Sequence, residues 1–261
     1  MQCDTPGVVI RRARPGRDPS EWCFLRMCSH LRVCEVLYGV CAASNISGLL
    51  LSVAVFSQIF LLTLYMQEVL HYSALQTGVA YVALTLSVIP FSGLAQALAT
   101  RVGIRRVLPA GMAFVAGGLV LYAQLPVHGH YFWNLLPALL LSGLGLAFAF
   151  VPVSIGALTG VSGDEAGVAS GLLNTSQQIG GAIGLAVATT IATTFTNRYV
   201  DAHVGTSALG GAALTHGFQI TFYVLAAIAG LGAVAAAVLM ESHPSVSEAA
   251  EVEGELAREA A

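Results

Sequence analysis

The sequence predicts an all-α protein that crosses a membrane six times, and three observations carry that prediction. The 261 residues are 56% hydrophobic and only 10% charged, with a mean hydropathy of +0.76, a balance that soluble domains do not reach. Six apolar stretches, at 46–66, 77–99, 107–126, 135–158, 168–194 and 217–240, are long enough to cross a hydrocarbon layer about 30 Å thick, which takes about 20 helical residues. The basic residues, all eleven of them arginine, are sorted by loop. With the N-terminus in the cytoplasm, ten fall in the leader, the loop between the second and third spans, and the tail, and only Arg198 falls outside. The positive-inside rule therefore predicts a multi-pass protein of the cell inner membrane with both termini in the cytoplasm.

The flanking segments bracket the membrane domain. Residues 1–44 form an Arg- and Cys-rich cytoplasmic leader without the apolar core of a signal peptide, residues 45–240 the six-helix domain, and residues 241–261 an acidic cytoplasmic tail. The net charge of −3 sits in loops and termini rather than in a patch, so the partner is the lipid bilayer and not nucleic acid. Cys3, Cys23, Cys28, Cys34 and Cys41 all precede the first span and form no C-x-x-C. Cys28, His30 and Cys34 come nearest to a zinc set, but their spacing fits no standard pattern. The thiols read as free, and no metal or cofactor is expected. Tyr131, Phe132 and Trp133, in the outer loop before the fourth span, read as interfacial anchors.

The fifth span organises the rest. At 100° per residue, Asn174, Gln177, Gln178 and Gly181 share one stripe, with Leu172, Ile179 and Ile183 nearly opposite. Side-chain amides at membrane depth are costly against lipid, so they are expected to face a bundle interior or a water-filled cavity. Beside them run Ser176, Gly180, Gly184 and Ala188, a small residue at every fourth position, the pattern that lets a second helix approach closely.

The remaining motifs each have a plain and a functional reading. The loop TRVGIRR, with Arg101, Gly103, Arg105 and Arg106, satisfies the positive-inside rule and would also serve as a gating loop whose arginines pair in one conformation. Ser162 and Glu165 have the S-x-x-E spacing of a capping box at the start of the fifth span. The same stretch, Gly160 to Gly163, spells G-x-S-G, the nucleophile motif of rhomboid-type intramembrane proteases. That chemistry needs a histidine base, and His216 falls on the opposite side of the bilayer from Ser162. Pro90, Pro152 and the glycines Gly180, Gly181 and Gly184 are positions where helices bend, pack on neighbours or line cavities. No acid or base lies in the middle of any span, so these six helices offer no proton relay.

A specific resemblance adds to this reading. GDEAGVASGLLNTSQQIGGAIGLAVATTI, from Gly163 to Ile191, resembles the penultimate helix of the fourteen-helix drug:proton antiporters of the major facilitator superfamily. FLLTLYMQEVLHYSALQTGVAYV, from Phe60 to Val82, is similar to the ninth helix of that family and the loop into the tenth. TRVGIRR resembles the C-domain copy of the cytoplasmic gating motif: Leu98, Ala99, Arg101, Gly103 and Arg105 fit, while Gln96, Thr100 and Ile104 replace its glycine, aspartate and first arginine. The resemblance covers 45–240 and implies one major-facilitator half with a three-plus-three inverted repeat. It implies an N-terminal six-helix domain as a necessary partner, and the leader before Leu31, which matches nothing in the family, reads as the mark of a truncated or frame-shifted product. By the family layout the first, second, fourth and fifth spans line the cavity, which makes Gln58, Tyr65, Gln96, Asn174, Gln177 and Gln178 the expected lining residues.

The function so implied is transport, not enzymatic catalysis: efflux of an amphipathic small molecule by proton antiport and alternating access, by a C-terminal half. A non-transporting six-helix scaffold or regulatory protein is the alternative, and an intramembrane serine protease the remotest.

Overall fold

The computed structural model describes the backbone of residues 19–127, 129–159, 161, 165–203 and 210–241, and the side chains of all of these except 19–41 and 239–241. Among the described residues the regular structure is entirely helical. α1 is Pro19–Leu64, followed by a π-helical turn at Tyr65–Val69; α2 is Ala74–Val102 and α3 Ile104–Tyr122. A second π-helical turn, Tyr131–Leu135, leads into α4, Leu136–Leu158, and α5 is Ala166–Ala202 and α6 Gly211–Glu241. Each contains a segment long and apolar enough to cross a membrane, the first being Ala42–Val69. The predicted fold class is therefore the observed one.

Several boundaries differ from the sequence reading. α1 runs unbroken through position 44, so the leader and the first span share one helix, whose apolar part starts at Ala42. Cys23, Cys28, Cys34 and Cys41 belong to that helix, but their side chains, like Cys3 and the tail beyond 241, lie outside the described residues. α6 starts at Gly211 rather than 217. Pro90 and Pro152 lie inside α2 and α4 without ending either helix, and α5 is continuous through its glycines. The local irregularities are instead the two π turns, with Phe132 and Trp133, the expected anchors, exposed on the second.

Turn chemistry fixes the helix ends. Ser73 Oγ accepts from the Gln76 amide at 3.3 Å and Gln76 Oε1 accepts from the Ser73 amide at 2.9 Å, a reciprocal capping box that starts α2. Just before it, His71 turns the chain at φ +55°, left-handed for a residue with a Cβ. Because a Cβ at such a φ costs roughly 1–2 kcal/mol, His71→Gly is expected to stabilise the protein by about 1 kcal/mol. Thermal unfolding in detergent would show this as a raised midpoint. α2 and α3 are joined by one residue, Gly103, at φ +91° and ψ 150°, a region that glycine alone occupies freely.

The helices form two layers. α2 packs on α4, α4 on α1 and α1 on α5, while α3 and α6 pack against each other behind that row. The second helix of each three-helix set thus leans on the first helix of the other, as an inverted repeat requires. Between helices in lipid there is no hydrophobic driving force, so close packing holds them. In the antiparallel α3–α4 pair, a Cβ on Gly111 would strike the backbone at Phe148 and Ala149, one on Gly145 the backbone at Phe114 and Val115, and one on Gly118 the hydroxyl of Ser142. In the parallel α1–α5 pair, a Cβ on Gly180 would meet the carbonyl of Leu49, and one on Gly184 that of Val53. Ala188 is fully buried beyond them and Ser176 half-buried before them.

Candidate substrate-facing surface

Half of the six expected lining residues are exposed on helices of the α2–α4–α1–α5 row. On α5, Asn174 and Gln178 are exposed. Gln177, between them, turns toward α1: its stem lies near Gly48, and its Nε2 is buried with no hydrogen-bond partner among the described residues. One turn further, Gly181 lies under the ring of Phe56 of α1. Phe56 is 45% exposed, and Ile59 and Phe60 follow it on α1 at 44% and 37%. Two amides therefore share one surface with two aromatic rings and an isoleucine. Leu172, Ile179 and Ile183 are exposed as well, so the amide and apolar stripes of α5 both border uncovered surface and the buried edge of the helix runs beside them.

Two expected lining residues are elsewhere. Gln58 is 3% exposed and Tyr65 1% exposed, both inside the bundle. α1 is rotated so that Leu51, Ala54, Gln58, Leu61 and Leu62 make its buried stripe, and this is a correction to the sequence reading. The rotation of α1 is set by α4, α5 and α6 together, which the pattern of one helix does not encode. Tyr65 lies in the π turn, and its hydroxyl donates to the Pro126 carbonyl at 2.6 Å. Gln96 is exposed near the C-terminal end of α2.

Tyr81, which the sequence reading did not single out, bridges the row. Its hydroxyl donates to the Ile59 carbonyl at 2.8 Å and lies 3.0 Å from Thr63 Oγ1. Tyr131 ties the start of α4 to α2 in the same way, donating to the Ala80 carbonyl at 3.0 Å. Lone tyrosines in apolar spans carry no sequence signal that separates such clasps from ordinary packing.

At the other end of α2, the loop TRVGIRR is the tight turn at Gly103. Arg101 and Arg106 are exposed; Arg105 is half-buried, and one of its Nη atoms is buried without a hydrogen-bond partner among the described residues. Arg101 sits in the last turn of α2, where the helix dipole favours a cation, but Arg105 and Arg106 sit in the first turn of α3, where it does not.

The expected capping box on α5 involves Ser162 and so lies outside the described residues. The helix starts at Ala166 with Glu165 itself at the cap position and no side-chain cap bond. A Ser162 cap would start the helix three residues earlier. His216 is in the second turn of α6, with its ring 5.0 Å from that of Tyr199. Away from the first and last two turns, the six spans hold no Asp, Glu, Lys, Arg or His.

Known proteins share this sequence pattern. The model of the Major Facilitator Superfamily matches residues 20–185, so the family match starts upstream of Leu31 and includes part of the segment read as foreign leader. The chain is 33% identical to the puromycin resistance protein of Streptomyces alboniger over 199 residues, 75% of this chain and 40% of that protein. It is 33% identical to the lincomycin resistance protein of Streptomyces lincolnensis over 139 residues, 53% and 29% of the respective chains. It is 35% identical to the cephamycin export protein of Amycolatopsis lactamdurans over 130 residues, 47% and 26%. The chain spans two fifths or less of the length of these relatives. Its six membrane-spanning helices and the extent of the family match make it a member of the major facilitator superfamily, a family of transporters and not of enzymes.

Proposed function

We propose that the chain is the C-terminal half of an exporter of amphipathic small molecules, working by alternating access against a six-helix N-terminal domain. The observation that carries this is the exposure of Asn174 and Gln178 at membrane depth beside Phe56, Ile59 and Phe60. Amides left to lipid are unfavourable, whereas amides among apolar walls suit a ligand that is greasy with a few polar groups. Gln96 and Gln177 extend the polar part of the same row. The relatives named for resistance to puromycin and lincomycin, and for cephamycin export, support antibiotic-like compounds as the substrate class. With both termini in the cytoplasm, TRVGIRR lies on the inner side, where Arg105, one Nη of which has no partner among the described residues, awaits an acidic group or helix C-terminus in one of two conformations. Proton antiport, in this reading, takes its titrating group from the other domain.

The test expresses the chain with the N-terminal domain of the puromycin relative in a drug-sensitive bacterium and measures growth on puromycin, lincomycin and cephamycin. Asn174→Ala and Gln178→Ala are expected to shift resistance to at least one compound by about three- to tenfold, the equivalent of one hydrogen bond, with membrane levels unchanged. Resistance equal to the parent on every compound would count against these amides as substrate contacts and favour a scaffold.

A further inference from the structure

The uncovered face of α1 continues past its apolar wall into a polar triad. Phe56, Ile59, Phe60 and Thr63 follow one another at i, i+3, i+4 and i+7, so they share one stripe of the helix. At the Thr63 end, toward the connection into α2, three oxygens meet. Thr63 Oγ1 donates to the Ile59 carbonyl at 2.7 Å, Tyr81 Oη donates to the same carbonyl at 2.8 Å, and the two hydroxyls lie 3.0 Å apart. Ile59 is exposed, and Thr63 and Tyr81 are half-buried, so the triad opens at the edge of this surface.

The hydrogens of the triad all point inward. The Ile59 carbonyl also takes the helical N–H of Thr63, so three donors share its two lone pairs. One hydroxyl can therefore turn its hydrogen to the other, and whichever does so, both hydrogens stay inside the triad. At least one hydroxyl oxygen keeps lone pairs with no hydrogen to offer. The triad accepts and does not donate. At the other end of the wall, beyond Phe56, the exposed amides of Asn174 and Gln178 do both.

We propose that Thr63 and Tyr81 form a subsite for the N–H donor of an amine or ammonium group, on an amphipathic ligand whose apolar body lies along Phe56, Ile59 and Phe60. The two rings suit the charge as well, since aromatic faces attract ammonium groups. From Phe56 to Thr63 the helix rises about 10 Å, which a phenyl ring on a short alkyl chain spans. The assignment rests on reading this face as substrate-facing, and it names the polar group that the face selects.

The probes are 4-phenylbutylamine, protonated at neutral pH, and its trimethylammonium analogue, which has the same body and charge but no donor. Binding of each to the full chain in lipid nanodiscs, corrected by empty nanodiscs, gives a selectivity ratio. In the double variant Thr63→Val, Tyr81→Phe that ratio is expected to fall about fivefold or more from its parent value, as loss of a hydrogen bond to a charged group implies. Each single variant, which keeps one hydroxyl, should fall less. A ratio unchanged in the double variant, or a parent that binds neither probe, overturns the proposal. A measurement on the parent covers a variant that misfolds and loses both probes alike. The Thr63 methyl resonance, assigned by its absence from Thr63→Val, should shift more with the amine than with the trimethyl analogue at equal occupancy, and equal shifts overturn the proposal too. Because no transport is needed, the result is independent of the resistance assay: selective binding beside unchanged resistance for Asn174→Ala and Gln178→Ala would leave a ligand site on a scaffold.

Discussion

Leucine in place of Gly184 is expected to destabilise the six-helix unit by about 3 kcal/mol or more, the upper range for overpacking a close contact. The Cβ alone would fall on the carbonyl and Cα of Val53 in α1. No rotamer relieves a clash with backbone, so α5 would have to move off α1. That movement would open the contacts at Gly180 and Ala188 along the same seam. Leucine is the better helix former by nearly 1 kcal/mol, so propensity works against the loss and does not explain it. Gly171, on the same helix, supplies the contrast, because nothing lies within 4 Å of a Cβ there. Gly171→Leu is expected to be neutral or stabilising, by up to about 1 kcal/mol. Thermal or denaturant unfolding of both variants in detergent checks the pair. Equal stability of the two would sink the close-contact account of the α1–α5 seam.

The second large effect is expected at Gly103. Its φ of +91° with ψ of 150° is strained for any side chain, at about 1–3 kcal/mol, although nothing crowds a Cβ there. Gly103→Ala therefore isolates backbone strain from packing. As the whole connection between α2 and α3, the residue cannot relax without tilting one of the two helices. The expected result is a fall in stability within that range, together with altered accessibility of Arg105 and Arg106 to guanidine-modifying reagents. An alanine variant as stable as the parent would show that the turn has another conformation open to it.

What the sequence made legible follows from which interactions are local. Six spans can be counted because apolar length is a property of each stretch alone. The spacing of Gly180 and Gly184 marks one face of α5 for the same reason, since small residues four apart must align. Rotation of a helix is not local: the sequence points Gln58 and Tyr65 at a cavity, whereas α1, packed against α4, α5 and α6, buries both and leaves Phe56, Ile59 and Phe60 exposed. The α3–α4 seam escaped notice because both helices are apolar around most of their circumference, so Gly111 and Gly145 stand out only beside their partner. Two S-x-x-E/Q spacings compete in the sequence, and Ser73 with Gln76 forms the capping box while Glu165 sits at a cap position without one. The π turns leave no periodic trace in five residues.

Away from their first and last two turns the spans hold no acid or base, which bears on how such a surface would respond to its surroundings. Amides, aromatic rings and aliphatic side chains keep the same charge from mildly acidic to mildly alkaline solution. In the proposed exporter, the affinity of this face for a neutral ligand would therefore be constant along a proton gradient. Energy stored in that gradient would then act on it only mechanically, by changing which compartment the face is open to.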